Sequence, residues 1–537
     1  MIDVITLEYE LAELPSSQHR AGLAGLVMML QWLQGQPNIE GTLRLEHVGE
    51  TGARISLDKD GLVSLFDFLY AASEGEVQQN TRRKDKTGQE IPPIREETVT
   101  STDYGGATKT RTVYVYPKTI PKGAFLCDYD RSDTEIWIKL WRDMIWSILR
   151  GVPATRRPYE VRAGTKFSED AVKVWNELLK GGDRAVELPS TYFIGAQASN
   201  AENVPFKDRA RFQFLLHFWV FVAQIYLPIE WSFDRKAKKT TSKDWGYVLA
   251  VPDVAHLEIF CEEFPDVLQA RGAEMMGYRP KEAVIDIASE GAFDFMMKLS
   301  HRIATKVDFQ IADLLLGVDV LHVEKDGNNV RLWSNSRIDP IRETIDRYEN
   351  IKKRFNDPVF RKQLLANVLE ERDWFHGFGA LLSKVDKEQA IGNEWFRRDV
   401  RKAFEQFGVA IKNKGEIEMD TSTEVPKSLT IEAIVYRLVG VYVSSKLRSK
   451  YQLEWAEGFK GTPKEVDYNE KKRKVAREAF LAIRSRTDAD FIDYFASTLC
   501  AYPQFLNEEG YGTLSTNLYQ DTDRVRTLTM LALSAKG

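Results

Sequence analysis

The chain has 537 residues, of which 43% are apolar and 28% are charged, a composition typical of a globular protein with about two to four domains. Its formal net charge is -5 and its three cysteines, Cys127, Cys261 and Cys500, form no CxxC pair. These values argue against a strongly basic, autonomous nucleic-acid binder, a zinc ribbon and a disulfide-framed secreted domain, and they favour the reducing cytoplasm.

The N-terminal region predicts mixed α and β structure. A helix is predicted from Ser16 or Ser17, either of which suits the N-cap, to Leu33, because apolar residues recur there at helical spacing. Alternating apolar and polar residues on both sides of a glycine-containing turn predict a hairpin over 43–57. A second helix is predicted over about 62–70.

The segment 78–123 interrupts this pattern and predicts a long, polar and irregular insertion with one strand over 112–116. Between 81 and 122 it carries nine Lys or Arg and five Asp or Glu, a local balance of +4 in an acidic chain. Insertions of this kind are usually either functional or mobile.

The most apolar run, FQFLLHFWVFVAQIYL over 212–227, predicts a buried core helix. It is shorter than the roughly 20 residues that cross a bilayer, and His217 within it is interpreted as a core histidine with a satisfied hydrogen bond. His376 is interpreted in the same way. The acidic first residues, MIDVITLEYELAEL, lack the basic start of a signal peptide.

The middle of the chain, 130–350, alternates helices and short strands. The run LHVEKDGNNVRLWS, 321–334, predicts a hairpin that turns at Asp326 and Gly327. Beyond about 340 the pattern is almost wholly helical, with a polar linker over 412–429. Helical runs then predict a C-terminal bundle of about four helices, over about 429–448, 470–486, 488–500 and 521–534.

The predicted fold class is therefore α+β: a mixed α/β N-terminal region with short hairpins, then a largely helical part and the C-terminal bundle. The predicted domains are 1–415, which contains the insertion 78–123, and 419–537.

No familiar catalytic motif occurs in the sequence. It contains no P-loop, no GxGxxG after a strand, no HExxH and no GxSxG. None of its seven histidines lies three or four residues from another, so neither a clustered metal site nor a two-metal nuclease is indicated. We expect no catalytic residue, no metal and no cofactor, and a binding or scaffolding role rather than an enzyme.

Three segments resemble one protein family. They are ITLEYELAELPSSQHRAGLAGLVMML at Ile5–Leu30, LWRDMIWSILRGVPATRRPYEVR at Leu140–Arg162, and YFIGAQASNAENVPFKDRARFQFLLHFW at Tyr192–Trp219. Together with the KDGNN hairpin they resemble the large subunit of type I CRISPR effector complexes (Cascade), in particular a subgroup named from myxobacterial systems and close to type I-B.

This resemblance implies a non-catalytic subunit with several partners. The N-terminal part would contact the 5′ end of the CRISPR RNA, read a protospacer-adjacent motif (PAM) on double-stranded DNA and help to open the duplex. The C-terminal bundle would resemble the small subunit that lines the complex, and a basic stripe on one of its helices could hold the displaced or target strand by phosphate contacts. The other partners implied are the backbone subunits and a separate helicase-nuclease, and sequence reading is left to base pairing.

The stretch GAQASNAEN, with the basic residues after it, is the leading DNA-binding candidate. Carboxamides can read base edges and the cations can hold phosphates, although a plain surface loop before a helix remains an alternative. The candidates in this PAM loop are Gln197, Asn200, Asn203, Lys207, Arg209 and Arg211.

Two further sets are candidates, each with a solvated surface as the alternative. The basic insertion offers Gln78, Asn80, Arg82, Arg83, Lys84 and Lys86. Nucleic-acid backbone contacts are expected from Arg156, Arg157, Arg473, Arg477 and Arg484, the last three on one helix face. Phe480 lies within that stripe and is expected to pack on a neighbouring helix.

Met419 is a candidate internal start, because the codons for Lys414-Gly415-Glu416 can spell a ribosome-binding sequence and related complexes make their small subunit in this way. The alternative is an ordinary linker methionine. Two other functions also stay open: a nuclease or nucleotide-dependent enzyme with a cryptic site, and an assembly-only scaffold.

Overall fold

The computed structural model divides into two compact units. The first comprises Met1–Pro228 and Asp244–Arg342, and the second comprises Ile229–Lys243 and Glu343–Gly537. The structure describes residues 4–85, 87–102, 108–129, 136–149, 156–164, 168–188, 206–234, 239–271, 275–276, 279–304, 306, 309–327, 329–408, 430–501 and 503–537.

The first unit begins with a three-stranded antiparallel sheet and two helices. Its strands are β1 (Ile5–Glu10), β2 (Leu43–Val48) and β3 (Gly52–Leu57), in the order β1-β3-β2. The helices are α1 (Ser17–Leu33) and α2 (Lys59–Leu69), with Ser16 at the N-cap position of α1. The predicted hairpin and both predicted helices are confirmed.

A second three-stranded sheet replaces the irregular insertion that the sequence predicted over 78–123. Its strands are β4 (Ala72–Gln79), β5 (Arg95–Thr102) and β6 (Thr108–Pro121), in the order β4-β6-β5. The strand expected over 112–116 is confirmed, but the prediction of a long irregular segment is wrong. Threonines and β-branched residues on β5 and β6 give these polar strands their β propensity.

Short helices and a small hairpin follow. They are α3 (Leu126–Tyr129), α4 (Ile136–Ser147), α5 (Arg156–Ala163), α6 (Asp170–Leu179), β7 (Ala185–Leu188), β8 (Phe206–Arg209) and α7 (Ala210–Leu215). Strands β7 and β8 pair antiparallel, with Ala185 opposite Arg209.

The single helix predicted over 212–227 is wrong, although its burial is confirmed. The chain instead forms α7, a 3-10 turn at Trp219–Phe221 and the start of β9 (Gln224–Asp234). Because the run is mostly apolar and almost wholly buried, periodicity could not distinguish a helix from a buried strand.

The main sheet of the first unit is built on β11 (Tyr247–Val254), β15 (Leu315–Asp326) and β16 (Asn329–Ile338), which pair antiparallel in that order. The hairpin predicted over 321–334 is therefore confirmed. Strand β9 pairs with β11 on the other side. The remaining strands of the first unit are β12 (Met275–Met276), β13 (Arg279–Pro280) and β14 (Val284–Ile285). Strand β10 (Lys239–Asp244) pairs with β9, and both β9 from Ile229 onward and β10 up to Lys243 belong to the second unit.

Three helices accompany the main sheet: α8 (Leu257–Gln269), α9 (Glu290–Ile303) and α10 (Ile311–Leu314). Helix α1 also packs on β11 and approaches the last residue of α7 and the chain that follows it very closely. A Cβ added at Gly22 would overlap the carbonyl oxygen of Leu215, and one at Gly25 would lie 2.5 Å from that of Phe218. The sequence AGLAGL in α1 thus permits a backbone contact that no larger residue allows.

The second unit is helical from Glu343 onward in its described part, as predicted. Its helices are α11 (Arg342–Arg354), α12 (Pro358–Leu369), α13 (Phe378–Lys384), α14 (Glu394–Ala403), α15 (Ile431–Tyr451), α16 (Pro463–Arg484), α17 (Asp488–Tyr494), α18 (Glu508–Gln520) and α19 (Thr522–Lys536). Single π turns follow α14 and α17. Helix α18 is an element that the sequence did not predict.

Helix α19 is the centre of the second unit. It is buried from Val525 to Ala535, and α13, α14, α15 and α16 all pack against it. The helices before the linker 412–429 therefore share one core with those after it. Within the described residues, no helix combines the length and apolarity needed to cross a membrane.

Candidate nucleic-acid interface

The hairpin of β7 and β8 holds the described part of the PAM loop candidates. Lys207 and Arg209 lie on β8, and Arg211 follows in the first turn of α7. Lys207 is exposed. Arg209 is 49% exposed, its ion pairs are long, 3.3 Å to Asp183 and 3.7 Å to Glu13, and its guanidinium lies 5.1 Å from the centroid of the Phe212 ring.

Arg211 differs from these two neighbours, because hydrogen bonds within the protein already use the donors of its guanidinium. Its side chain is 11% exposed. It donates to both carboxylate oxygens of Glu13, to Asp183 at 2.7 Å and to the carbonyl of Glu8 at 2.9 Å. The hydrogen bonds from Arg211 to Glu13 hold the pKa of Glu13 below its usual value. Arg211 therefore ties α7 to the N-terminal sheet, whereas Lys207 and Arg209 face solvent. Gln197, Asn200 and Asn203 lie outside the described residues.

The sheet of β4, β6 and β5 neutralises part of the basic insertion internally. Arg82 forms ion pairs with Glu96 at 2.6 Å and with Glu90 at 3.1 Å. Arg95 likewise pairs with Glu76 and Glu97. All of these side chains are largely exposed, so each pair contributes little stability. The local balance of +4 overstates the positive charge that this surface offers to a ligand.

The other insertion candidates lie around the end of β4. Gln78 donates to Glu97 at 2.7 Å, and the guanidinium of Arg83 lies 4.6 Å from the centroid of the Tyr116 ring. Asn80 and Lys84 are exposed. Lys86 lies outside the described residues. Among these candidates, Lys84 and Arg83 present their charge without a carboxylate partner in the described part of the chain.

Arg156 and Arg157 occupy the start of α5 with different surroundings. Arg156 donates twice to the carbonyl of Trp146, at 3.1 and 2.5 Å, and lies over that residue's ring. Arg157 is exposed. Of the two, Arg157 is the better placed for a phosphate.

The three arginines on α16 also separate by their contacts. Arg484 donates to the carbonyls of Ser383 and Val385 at 2.6–3.1 Å and so closes the end of α13. Arg477 pairs with Glu388 at 2.7 Å, and Arg473 is exposed. Phe480 is fully buried, which confirms its expected packing role.

A group of cations outside the candidate sites predicted from the sequence lies near Arg473. We define the basic cluster as Arg397 and Arg401 on α14, Lys472 on α16 and Lys536 at the end of α19. All four side chains are half-buried. The spacing of two arginines by four residues in RRDVR was a usable signal, since it places both on one helix face. The positions of Lys472 and Lys536 beside them required the tertiary structure.

Burial and repulsion from neighbouring cations lower the pKa values of Arg397, Lys472 and Lys536. The pKa of Arg397 is lowered to about 10, mainly by burial and secondly by repulsion from Arg401 and Arg473. The pKa of Lys536 is lowered to about 8, mainly by burial and secondly by repulsion from Lys472 and Arg401. The Nε atoms of Arg397 and Arg401 are buried and have no hydrogen-bond partner among the described residues.

His217 shows the opposite situation, a buried polar group with a partner. Its Nδ1 lies 2.7 Å from the hydroxyl of Tyr70, which confirms the interpretation of a satisfied core histidine. Burial lowers the pKa of His217 to about 3. The same interpretation is wrong for His376, which is exposed just before α13. Across the described part of the chain, no three His, Cys, Asp or Glu side chains lie close enough together to hold a metal ion.

Comparison with known families identifies the class of this protein. Residues 42–308 match the Type I-B CRISPR Cas8b N-terminal domain, and residues 315–536 match the Type I-B CRISPR Cas8b C-terminal domain. The chain is thus a large subunit of a CRISPR effector, as the resemblance predicted. More specifically, it belongs to the Cas8b family of type I-B systems. Of the three segments that carried the resemblance, Ile5–Leu30 lies outside the matched ranges. None of the curated proteins matches the chain.

Proposed function

We propose that this chain is a non-catalytic subunit that helps its effector complex to recognise the PAM on double-stranded DNA, to open the duplex for guide pairing and to recruit the helicase-nuclease. The observation that carries the proposal is membership of the Cas8b family along most of the chain. Lys207 and Arg209 support it, because they leave exposed charge directly after the GAQASNAEN stretch.

The experiment measures DNA binding by complexes assembled with guide RNA and compares the complex that contains the wild-type chain with complexes that contain variants. The variant carrying Lys207→Gln and Arg209→Gln should bind every target more weakly, with a salt slope smaller by about 0.9 for each phosphate that is no longer neutralised. Lys173→Gln on α6 is the matched control, since that lysine is 75% exposed and its ion pair with Glu169 is long, 3.9 Å. Equally weakened binding in both variants would contradict a phosphate contact at β8.

Base reading is tested separately. Replacing Gln197, Asn200 and Asn203 with Ala should relax the preference for the PAM by roughly 1–3 kcal/mol for each base that is no longer read, while binding to other sequences changes little. Unchanged preference and unchanged affinity in all of these variants would favour an assembly-only scaffold. Metal-dependent cleavage of DNA by the purified chain would favour a nuclease.

We also propose the partners and domains that the resemblance implied: CRISPR RNA, the displaced strand, the backbone subunits, the helicase-nuclease, and domains 1–415 and 419–537. A small subunit that starts at Met419 would contain α15–α19 without α13 and α14. The test is a Met419→Leu change, which should abolish a separate product of the size of residues 419–537. Persistence of that product would place the start elsewhere. Met419 lies outside the described residues.

A further inference from the structure

The basic cluster is an energetic anomaly within the second unit. Removing a charged group from water costs several kcal/mol unless the protein supplies a partner. Here Arg397, Arg401, Lys472 and Lys536 are half-buried beside one another, and no ion pair joins any of them to an acid in the described part of the chain. Glu394 and Glu405 attract Arg397 and Lys536 only from a distance. The arrangement destabilises the protein unless an anion binds there.

The packing holds these cations in place without an acidic partner. The amine of Lys536 lies 3.7 Å from the centroid of the Tyr436 ring. It also lies beside Gly440, where an added Cβ would come within 3.5 Å of Nζ. An aromatic face and bare helix backbone thus position the charge, while α14 and α16 both pack on α19 and bring the other three cations to it.

The positive charge continues outward from the cluster along α16. Arg473 is close enough to Arg397 to lower its pKa, and it also lines a cleft of about 560 Å³. Lys387, Lys474 and Arg477 line the same cleft, with three glutamates among its other lining residues. Because Arg473 lines the cleft and also acts on Arg397 in the cluster, the cations extend over a length of surface that suits a chain of linked anions better than a small free one.

We propose that the basic cluster binds one phosphate group of a single-stranded nucleic acid, whose neighbouring phosphates follow the cleft beside Arg473. The two arginines are half-buried as whole side chains, and they offer planar donor forks that match phosphate oxygens. The proposal deepens the DNA-binding role proposed above and rests on it.

Binding of a phosphate at this site must be coupled to the uptake of a proton by Lys536 wherever its amine is neutral in the free protein. The groups that act on Lys536 are Tyr436 on α15, Lys472 on α16, and Arg401 and Glu405 on and after α14. A bound phosphate adds negative charge among them, so it raises the pKa of Lys536 from about 8. Affinity should therefore fall by about tenfold between pH 7 and pH 9, where the free protein has released this proton.

The test uses the full-length chain and a labelled 20-residue oligodeoxyadenylate, whose bases do not titrate between pH 7 and 9. Arg401→Gln should weaken binding by roughly tenfold and reduce the salt slope by about 0.7. Arg398→Gln is the matched control, because it removes the same charge from an exposed position on the same helix. The melting temperature of Arg401→Gln should equal or exceed that of the wild type, since a repelled cation is removed.

Lys536→Arg separates this site from general surface attraction. It should keep the affinity at pH 7 and remove the decrease between pH 7 and 9. Equal binding by the Arg401→Gln and Arg398→Gln variants would overturn the proposal, as would a lower melting temperature of Arg401→Gln without weaker binding. Stabilisation of the wild type by inorganic phosphate, with oligonucleotide binding unaffected by Arg401→Gln, would assign the site to free phosphate instead. If Arg401→Gln leaves oligonucleotide binding unchanged while Lys207 and Arg209 still contribute to duplex binding, the phosphate site at the basic cluster is refuted and the proposed function is not.

Discussion

The buried histidine of the first unit should make folding stability depend on pH in a defined window. Burial lowers the pKa of His217 to about 3 in the folded chain, whereas an unfolded histidine titrates near 6.5. Between these values the unfolded state binds the proton and the folded state does not. The free energy of unfolding must therefore decrease as the pH falls below about 6.5.

The size of the effect follows from the two pKa values. Lowering the pH from 7.5 to 5.0 should destabilise the first unit by about 2 kcal/mol through His217 alone. Any folded pKa below about 4 gives the same figure at pH 5. Urea unfolding followed by tryptophan fluorescence, carried out at both pH values, measures it as a change in the midpoint at constant slope.

Two variants separate burial from hydrogen bonding. His217→Gln should remove this part of the pH dependence, so its stability should decrease by about 2 kcal/mol less than that of the wild type over the same interval. Tyr70→Phe removes the hydroxyl beside Nδ1 and should keep the pH dependence, because burial is the main cause of the lowered pKa. Identical pH dependence in the wild type and His217→Gln would refute the reasoning.

Three other comparisons test helix packing, the hydrogen bonds of a buried arginine and the titration of a buried carboxyl group. Gly22→Ala should destabilise the first unit by about 1–3 kcal/mol through overpacking. Gly512→Ala, in open space on α18, should instead stabilise the protein by roughly 0.5–1 kcal/mol. Thermal unfolding that shows both variants stabilised, or both destabilised, would contradict this. Arg484→Met should cost about 2–3 kcal/mol because it removes charged hydrogen bonds, against less than about 1 kcal/mol for Arg486→Met, which breaks a surface ion pair with Asp490. Burial raises the pKa of Asp357 to about 6, so its folded form binds the proton more tightly and stability decreases by roughly 1 kcal/mol from pH 5 to 7; Asp357→Asn should remove that decrease in urea titrations.

Local patterns in the sequence predicted local structure well. The hairpin at 43–57, α1, α2 and the hairpin at 321–334 all carry periodic apolar residues and turn residues that need no distant partner. The predictions failed where tertiary contacts decide. The apolar run at 212–227 is buried on all sides, so it has no polar face to reveal its period, and the sheet over 72–121 is polar enough to resemble a loop.

The candidate sites show the same division. The sequence identified positive charge at Arg211, Arg473 and Arg484, but it could not show which donors the protein would occupy. Arg211 and Arg484 bond to carboxylates and carbonyls far away in the sequence. Arg397 and Arg401 drew no attention, because the helix that carries them looks like an ordinary charged surface helix and its burial depends on α19.

Donor occupancy therefore separates the arginines of this chain better than position or exposure does. A guanidinium whose donors are already bonded contributes to folding, and recruiting it to a ligand would break those bonds. A half-buried guanidinium with unpaired donors has an unmet electrostatic cost, and a ligand phosphate is an anion of suitable geometry to meet it. In an acidic chain without a strongly basic surface, a few such groups can supply specific phosphate contacts, while repulsion from the remaining surface keeps nonspecific binding weak.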